Sequence, residues 1–156
     1  MKKYILPFIA LALFASCSDD DEAPVVVPPP APTSFLKATI NGTEYNFNRF
    51  VIDTQTIVEP DYTYIDLHVQ ASIDGDETKK IEFNLEKDVP GTETIYYFYL
   101  LNGDTEYDTD HAASVFTTNV TENANQKIKG TFSGVLSDLD ETGTVEITNG
   151  SFDITY

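Results

Sequence analysis

The chain has 156 residues, with 26 Asp and Glu against nine Lys and Arg and a formal charge of −17. So acidic a surface repels phosphate backbones and anionic headgroups, which argues against a nucleic-acid partner and against electrostatic docking to a membrane. A single cysteine excludes an intramolecular disulfide, so the fold rests on core burial, for which 41 % apolar residues suffice.

At the start of the chain, Lys2 and Lys3 precede an apolar run over residues 4–14, too short to span a bilayer as a permanent helix. Phe14-Ala15-Ser16-Cys17 closes that run as a lipobox. Ala15 and Ser16 are small enough to admit a signal peptidase to the backbone, and the Cys17 thiol would then take the lipid, palmitate among its acyl groups. Residues 1–16 are therefore expected to be a lipoprotein signal peptide, and the membrane contact a lipid anchor. The competing reading is an ordinary secretory signal beside an incidental cysteine. Residues 17–33 carry four consecutive acids and then five prolines, which forbid helix and hold a chain extended. This tether is expected to be disordered, with a reach of roughly 50 Å at about 3.1 Å per residue.

One folded domain is expected over residues 34–156, because from Phe35 onward the apolar period is two and no helical period intervenes. Asn41-Gly42, between strands over 35–40 and 43–50, is the strongest hairpin signal. Residues 62–73 alternate most cleanly: Ile65, Leu67, Val69 and Ala71 share one face, Tyr62, Tyr64, Asp66 and His68 the other. Asp74-Gly75-Asp76 turns the chain into a strand over 79–85, and Pro90-Gly91 into an aromatic strand over 94–101. Residues 102–110 read as an acidic loop, 112–120 as a strand and 121–126 as a polar turn. Over 128–136, Gly130 and Gly134 share a side with Phe132 and point to close packing or a bulge. Residues 144–148 and 151–156 form one long strand bulged at Asn149-Gly150, or a hairpin there. The fold class is all-β: an antiparallel β-sandwich of about eight or nine strands, with a lipocalin-like β-barrel as the alternative.

Two resemblances add to this. Cys17 followed by Ser18, Asp19, Asp20, Asp21 and Glu22 resembles the surface-export signal of Bacteroidota lipoproteins. Within the domain, Ala38-Thr39-Ile40-Asn41-Gly42, Gly130-Thr131-Phe132-Ser133-Gly134 and Ile147-Thr148-Asn149-Gly150-Ser151-Phe152 resemble segments of a family of uncharacterised Bacteroidota surface lipoproteins. The resemblance implies an all-β fold and an outer-membrane, surface-exposed address. That family has no assigned activity, so it supplies no catalytic residue.

Three groups of residues carry candidate chemistry. Asp104, Glu106, Asp108 and Asp110 place four carboxylates at alternate positions, a candidate Ca²⁺ site weighed against a solvated acidic loop. Neighbouring carboxylates on one face of an extended strand lie nearly ~7 Å apart, so gathering all four needs a curled loop. The turn at Asp138, Asp140 and Glu141 reads the same way. Tyr62, Tyr64, His68, Tyr96 and Phe98 offer rings beside polar groups, the makings of a glycan or peptide surface, weighed against ordinary half-exposed strand aromatics. Asp110, His111 and Ser114 supply triad residue types, but three residues this close on an extended segment do not point at one another. The reading is a non-enzymatic surface module for glycan or protein, with no cofactor beyond the Ca²⁺ candidate. The alternatives are an interaction subunit of an envelope complex, or a carrier of a small apolar ligand should the fold be a barrel.

Overall fold

The hairpins announced at Asn41-Gly42 and Asp74-Gly75 close as turns, because Asn and Gly tolerate the left-handed backbone that matches the twist of paired strands, whereas Pro90-Gly91 is no turn: residues 91–92 are extended and pair with residues 119–120. A computed structural model describes residues 33–156. The expected signal peptide, Cys17, the acids at 18–22 and the expected tether up to residue 32 lie outside the described residues. Eleven strands follow in chain order: β1 (Phe35–Ile40), β2 (Thr43–Phe47), β3 (Arg49–Val58), β4 (Thr63–Ile73), β5 (Asp76–Glu86), β6 (Gly91–Thr92), β7 (Ile95–Asn102), β8 (Thr105–Asp108), β9 (Val115–Ala124), β10 (Lys127–Asp138) and β11 (Thr144–Thr155). No helix occurs among the described residues.

All strand pairs are antiparallel and belong to one sheet, ordered β2-β1-β11-β10-β8-β7-β5-β4-β3, with β9 also on β10 and β6 on β9. β10 makes the corner: residues 127–135 pair with β9, while Ser137 and Asp138 pair with β8. β2 and β3 are the two ends of the path and do not pair, so the sheet is open and not a closed barrel. It nevertheless folds over itself. β5 and β11 stand four strand spacings apart, ~19 Å in a flat sheet, yet the rings of Phe83 and Phe152 lie 5.2 Å apart. Phe98 and Phe132 meet in the same interior at 5.0 Å, and Phe98 and Phe116 at 4.5 Å. Each buried ring contributes roughly 1.5–3 kcal/mol to the core.

Inward glycines make room for those rings. Gly150 sits opposite Phe132 and Gly130 opposite Phe152 across the β10–β11 ladder. A Cβ on Gly150 would come within 2.4 Å of the Phe132 ring. The expected bulge is present on β11: Lys37 pairs with Ser151 but Thr39 with Thr148, and Asn149 takes a φ of +53°. It is a bulge within one strand, not a hairpin.

Four further expectations are corrected. Eleven strands replace eight or nine. The acidic loop over 102–110 is a hairpin: Asn102 pairs with Thr105 about a turn at Gly103-Asp104, where Gly103 has a φ of +72°. The polar turn shrinks to Asn125-Gln126, because β9 runs on to Ala124. The strand expected over 43–50 breaks at Asn48, and Arg49–Val58 form a separate strand, β3, unread beyond residue 50 because it is a sheet edge exposed along most of its length and alternates weakly.

Candidate functional site

In β7, alternation places Tyr96 and Phe98 on one face and Tyr97 and Tyr99 on the other. The strand departs from this at a bulge, where Asn84 pairs with Tyr97 but Leu85 with Ile95. Two residues then oppose one, and Tyr96 and Tyr97 both turn outward. Phe98, expected on the ligand surface, is 0 % exposed and packs among the core phenylalanines.

The bulge delivers Tyr96 to the outer face of β4, where the other expected aromatics stand. Tyr62 stacks on Tyr64 with centroids 5.5 Å apart and planes 20° apart. Tyr62 donates its hydroxyl to Glu86, and Tyr96 donates to Asp66 Oδ1. Asn84 Nδ2 donates to Asp66 Oδ2 at 2.8 Å, so both oxygens of this carboxylate, 9 % exposed, are engaged. Burial, and then the bond to Asp66, raises the Tyr96 hydroxyl well above the ordinary tyrosine value, and Glu86 raises that of Tyr62. Both tyrosines thus stay protonated donors. His68 lies one outward position along β4 from Asp66, with Nε2 3.6 Å from Glu82 Oε2, while Lys80 Nζ reaches Glu82 Oε1 at 2.8 Å.

On this face lies a groove of about 450 Å³, lined by Asp53, Thr54 and Gln55 of β3, Asp66 and His68 of β4, and Asn84 of β5. Strand pairing assembles it: Asp53 opposes His68, Gln55 opposes Asp66, and His68 opposes Asn84. Of the five expected surface residues only His68 lines the groove; Tyr96 touches it through its hydroxyl on Asp66, and Tyr62 and Tyr64 stack further along the same face. Asp66, Asn84, Glu86, Asp53 and Gln55 were not singled out from the sequence. The one available signal was Asp66, a carboxylate midway along the outward face of the cleanest strand.

A larger depression of about 710 Å³ lies on the opposite outer face and is lined by hydroxyls and amides, among them Thr117, Asn119, Thr131 and Ser133. Its one ring, Phe132, is 3 % exposed. The smaller groove is the better site, because exposed tyrosines stand on the same face as its polar walls and Tyr96 bonds to one of them.

The acidic hairpin does not collect its carboxylates. Glu106 lies beside Tyr99, whose hydroxyl burial and Glu106 together push up to about 12. Asp108 Oδ1 accepts the Asp110 amide at 2.9 Å and stands 3.3 Å from His111 Nε2, near enough for an ion pair but not aligned as a hydrogen bond. Asp104 is exposed in the turn. Among the described residues no group of three or more His, Cys, Asp or Glu side chains has an arrangement that would hold a metal. In the second acidic turn, Asp138 accepts from the Thr142 amide at 2.8 Å and its hydroxyl at 3.2 Å. Ser114 Oγ donates to the Asp108 carbonyl at 2.7 Å and accepts from the Ser137 amide at 2.9 Å.

Compared with protein-family models, with curated proteins and with solved structures, the chain finds no match in any of the three.

Proposed function

We propose that this protein is a lipid-anchored envelope protein, carried on Cys17 and displayed at the cell surface of a Bacteroidota-type outer membrane, that binds a neutral glycan on the outer face of β3, β4, β5 and β7. One observation carries the binding reading: the stacked Tyr62 and Tyr64 and the exposed Tyr96 stand on the same outer face as a groove walled by Asp53, Gln55, Asp66, His68 and Asn84, which Tyr96 meets through its hydroxyl on Asp66. Sugar rings present apolar C–H faces and polar hydroxyl edges, and flat tyrosines beside carboxylates and amides complement both. Tyr62 and Tyr96 are each 52 % exposed, although a large ring gains by burial, and a sugar stacked on them would supply it. The groove itself is acidic and the whole chain carries −17, which disfavours sulfated or uronic glycans and favours uncharged ones. The lipobox and the acids at 18–22 support the anchor and the address.

The test is a glycan array followed by titration calorimetry on the best hit. Neutral oligosaccharides are expected to bind, and Tyr62→Ala and Tyr96→Ala each to weaken binding at least about tenfold, the loss of one stacked ring. Binding that survives both substitutions, or a preference for anionic glycans, would reject this face as the site.

A further inference from the structure

Two edges of the sheet, those of β9 and β3, are treated differently. On the β9 side the edge is covered. Asn123 Nδ2 donates to the carbonyls of Glu86 and Val89, Asn123 Oδ1 accepts the Asp88 amide, and the Glu93 amide donates to the Thr118 carbonyl. β3 has no such cover. It pairs with β4 through ten consecutive residues with no bulge, and no strand among the described residues lies on its other edge. It contains no proline and no lysine, the usual means of blunting an edge. Val51 is 53 % exposed and Val58 75 % exposed. A long, regular, β-branched edge is a template for another strand.

The sequence of β3 says which strand. When β3 is laid antiparallel against a copy of itself, a twofold axis normal to the sheet keeps each face on its own side, so only partners of like parity can oppose one another. With the axis on Thr54, Arg49 meets Glu59, Val51 meets Ile57 and Asp53 meets Gln55 on the outer face. On the inner face Phe50 meets Val58, Ile52 meets Thr56, and Thr54 meets itself. Arg49 is the only arginine of the chain, and this register sets it against an acid at both ends of the interface. Next to these ends Phe50 meets Val58 and Val51 meets Ile57, and pairs with at least one polar member lie at the centre.

We infer that β3 is the dimerisation edge of this protein: two copies join antiparallel about Thr54, making one continuous sheet across the interface. The two grooves then lie on the same face, with their β4 strands about 14 Å apart at three strand spacings. The interface is isologous, so each substitution counts twice.

Residues at the axis oppose themselves with Cα atoms ~4.5–5.5 Å apart, within disulfide reach. In the full chain carrying Cys17→Ser, Thr54→Cys is expected to cross-link into a covalent dimer on mild oxidation, at least about tenfold more than Thr121→Cys on the outer face of β9. Asp53→Cys and Gln55→Cys should cross-link when mixed and far less when alone. By sedimentation, Arg49→Glu is expected to weaken the dimer roughly tenfold, since two attractive pairs become repulsive, and Arg49→Glu with Glu59→Arg to restore it. Equal cross-linking at Thr54→Cys and Thr121→Cys would overturn the inference. So would a double charge swap that stays as weak as the single one, or a chain monomeric at every concentration.

Discussion

Phe98 and Tyr96 show how one residue's role turns on a local irregularity. Two positions apart on a regular strand they share a face; with a bulge at Tyr96 they do not. The consequence is measurable. Phe98→Ala removes a ring in contact with Phe83, Phe116 and Phe132 and is expected to cost about 3–5 kcal/mol, more than ~10 °C in melting temperature. Had Phe98 stood on the ligand surface, the same change would cost little stability. Thermal denaturation followed by circular dichroism checks it. What was legible at this scale was the residue type, rings beside carboxylates. Which rings face outward was not, because a bulge needs the partner strand to define it.

At the scale of elements, turns were read better than edges. Asn41-Gly42 closes β1–β2 as expected, and Asn41 also ties the turn to β11, its side chain accepting the Glu146 amide at 3.0 Å. Asn102-Gly103 carried a similar signal inside a segment read as loop, where its four acids outweighed it. β3 was merged at its start with β2 and otherwise unread, because an edge strand need not alternate. The pairing of aromatic and glycine across β10–β11 belongs to this scale as well. Gly150→Ala puts a methyl where the Phe132 ring lies, in a ladder held on both sides. It is expected to destabilise by about 1–3 kcal/mol. A shift in urea midpoint with unchanged m-value would establish overpacking, whereas no shift would mean that the two strands can part at little cost.

At the scale of the whole molecule, acidity and tyrosine content couple stability to pH on the alkaline side. Burial and neighbouring carboxylates raise Tyr96, Tyr97 and Tyr99 above the unfolded value of ~10, with Tyr99 at about 12. The folded state holds these protons more tightly than the unfolded one, so the stabilisation is fully present below pH ~10 and is lost as pH rises through about 12. Stability is therefore expected to fall between these limits, and absorbance of tyrosinate near 295 nm should develop later in the folded protein than in the denatured one. A folded titration midpoint near 10 for every tyrosine would contradict this.

The sequence by itself determined the strand character of the domain, most of its turns, its acidity and the aromatic supply. All of these are local: a period of two, a residue tolerant of positive φ and a charge count need no partner to be read. Tertiary structure decided that the sheet stays open and folds over itself, that β10 turns its corner, that Phe98 goes inward, and that Tyr62, Tyr64 and Tyr96 stand on the outer face with Asp66. It also left the outer edge of β3 without a strand among the described residues. Each of these depends on which strand lies beside which, and register is settled by burial summed over the entire sheet.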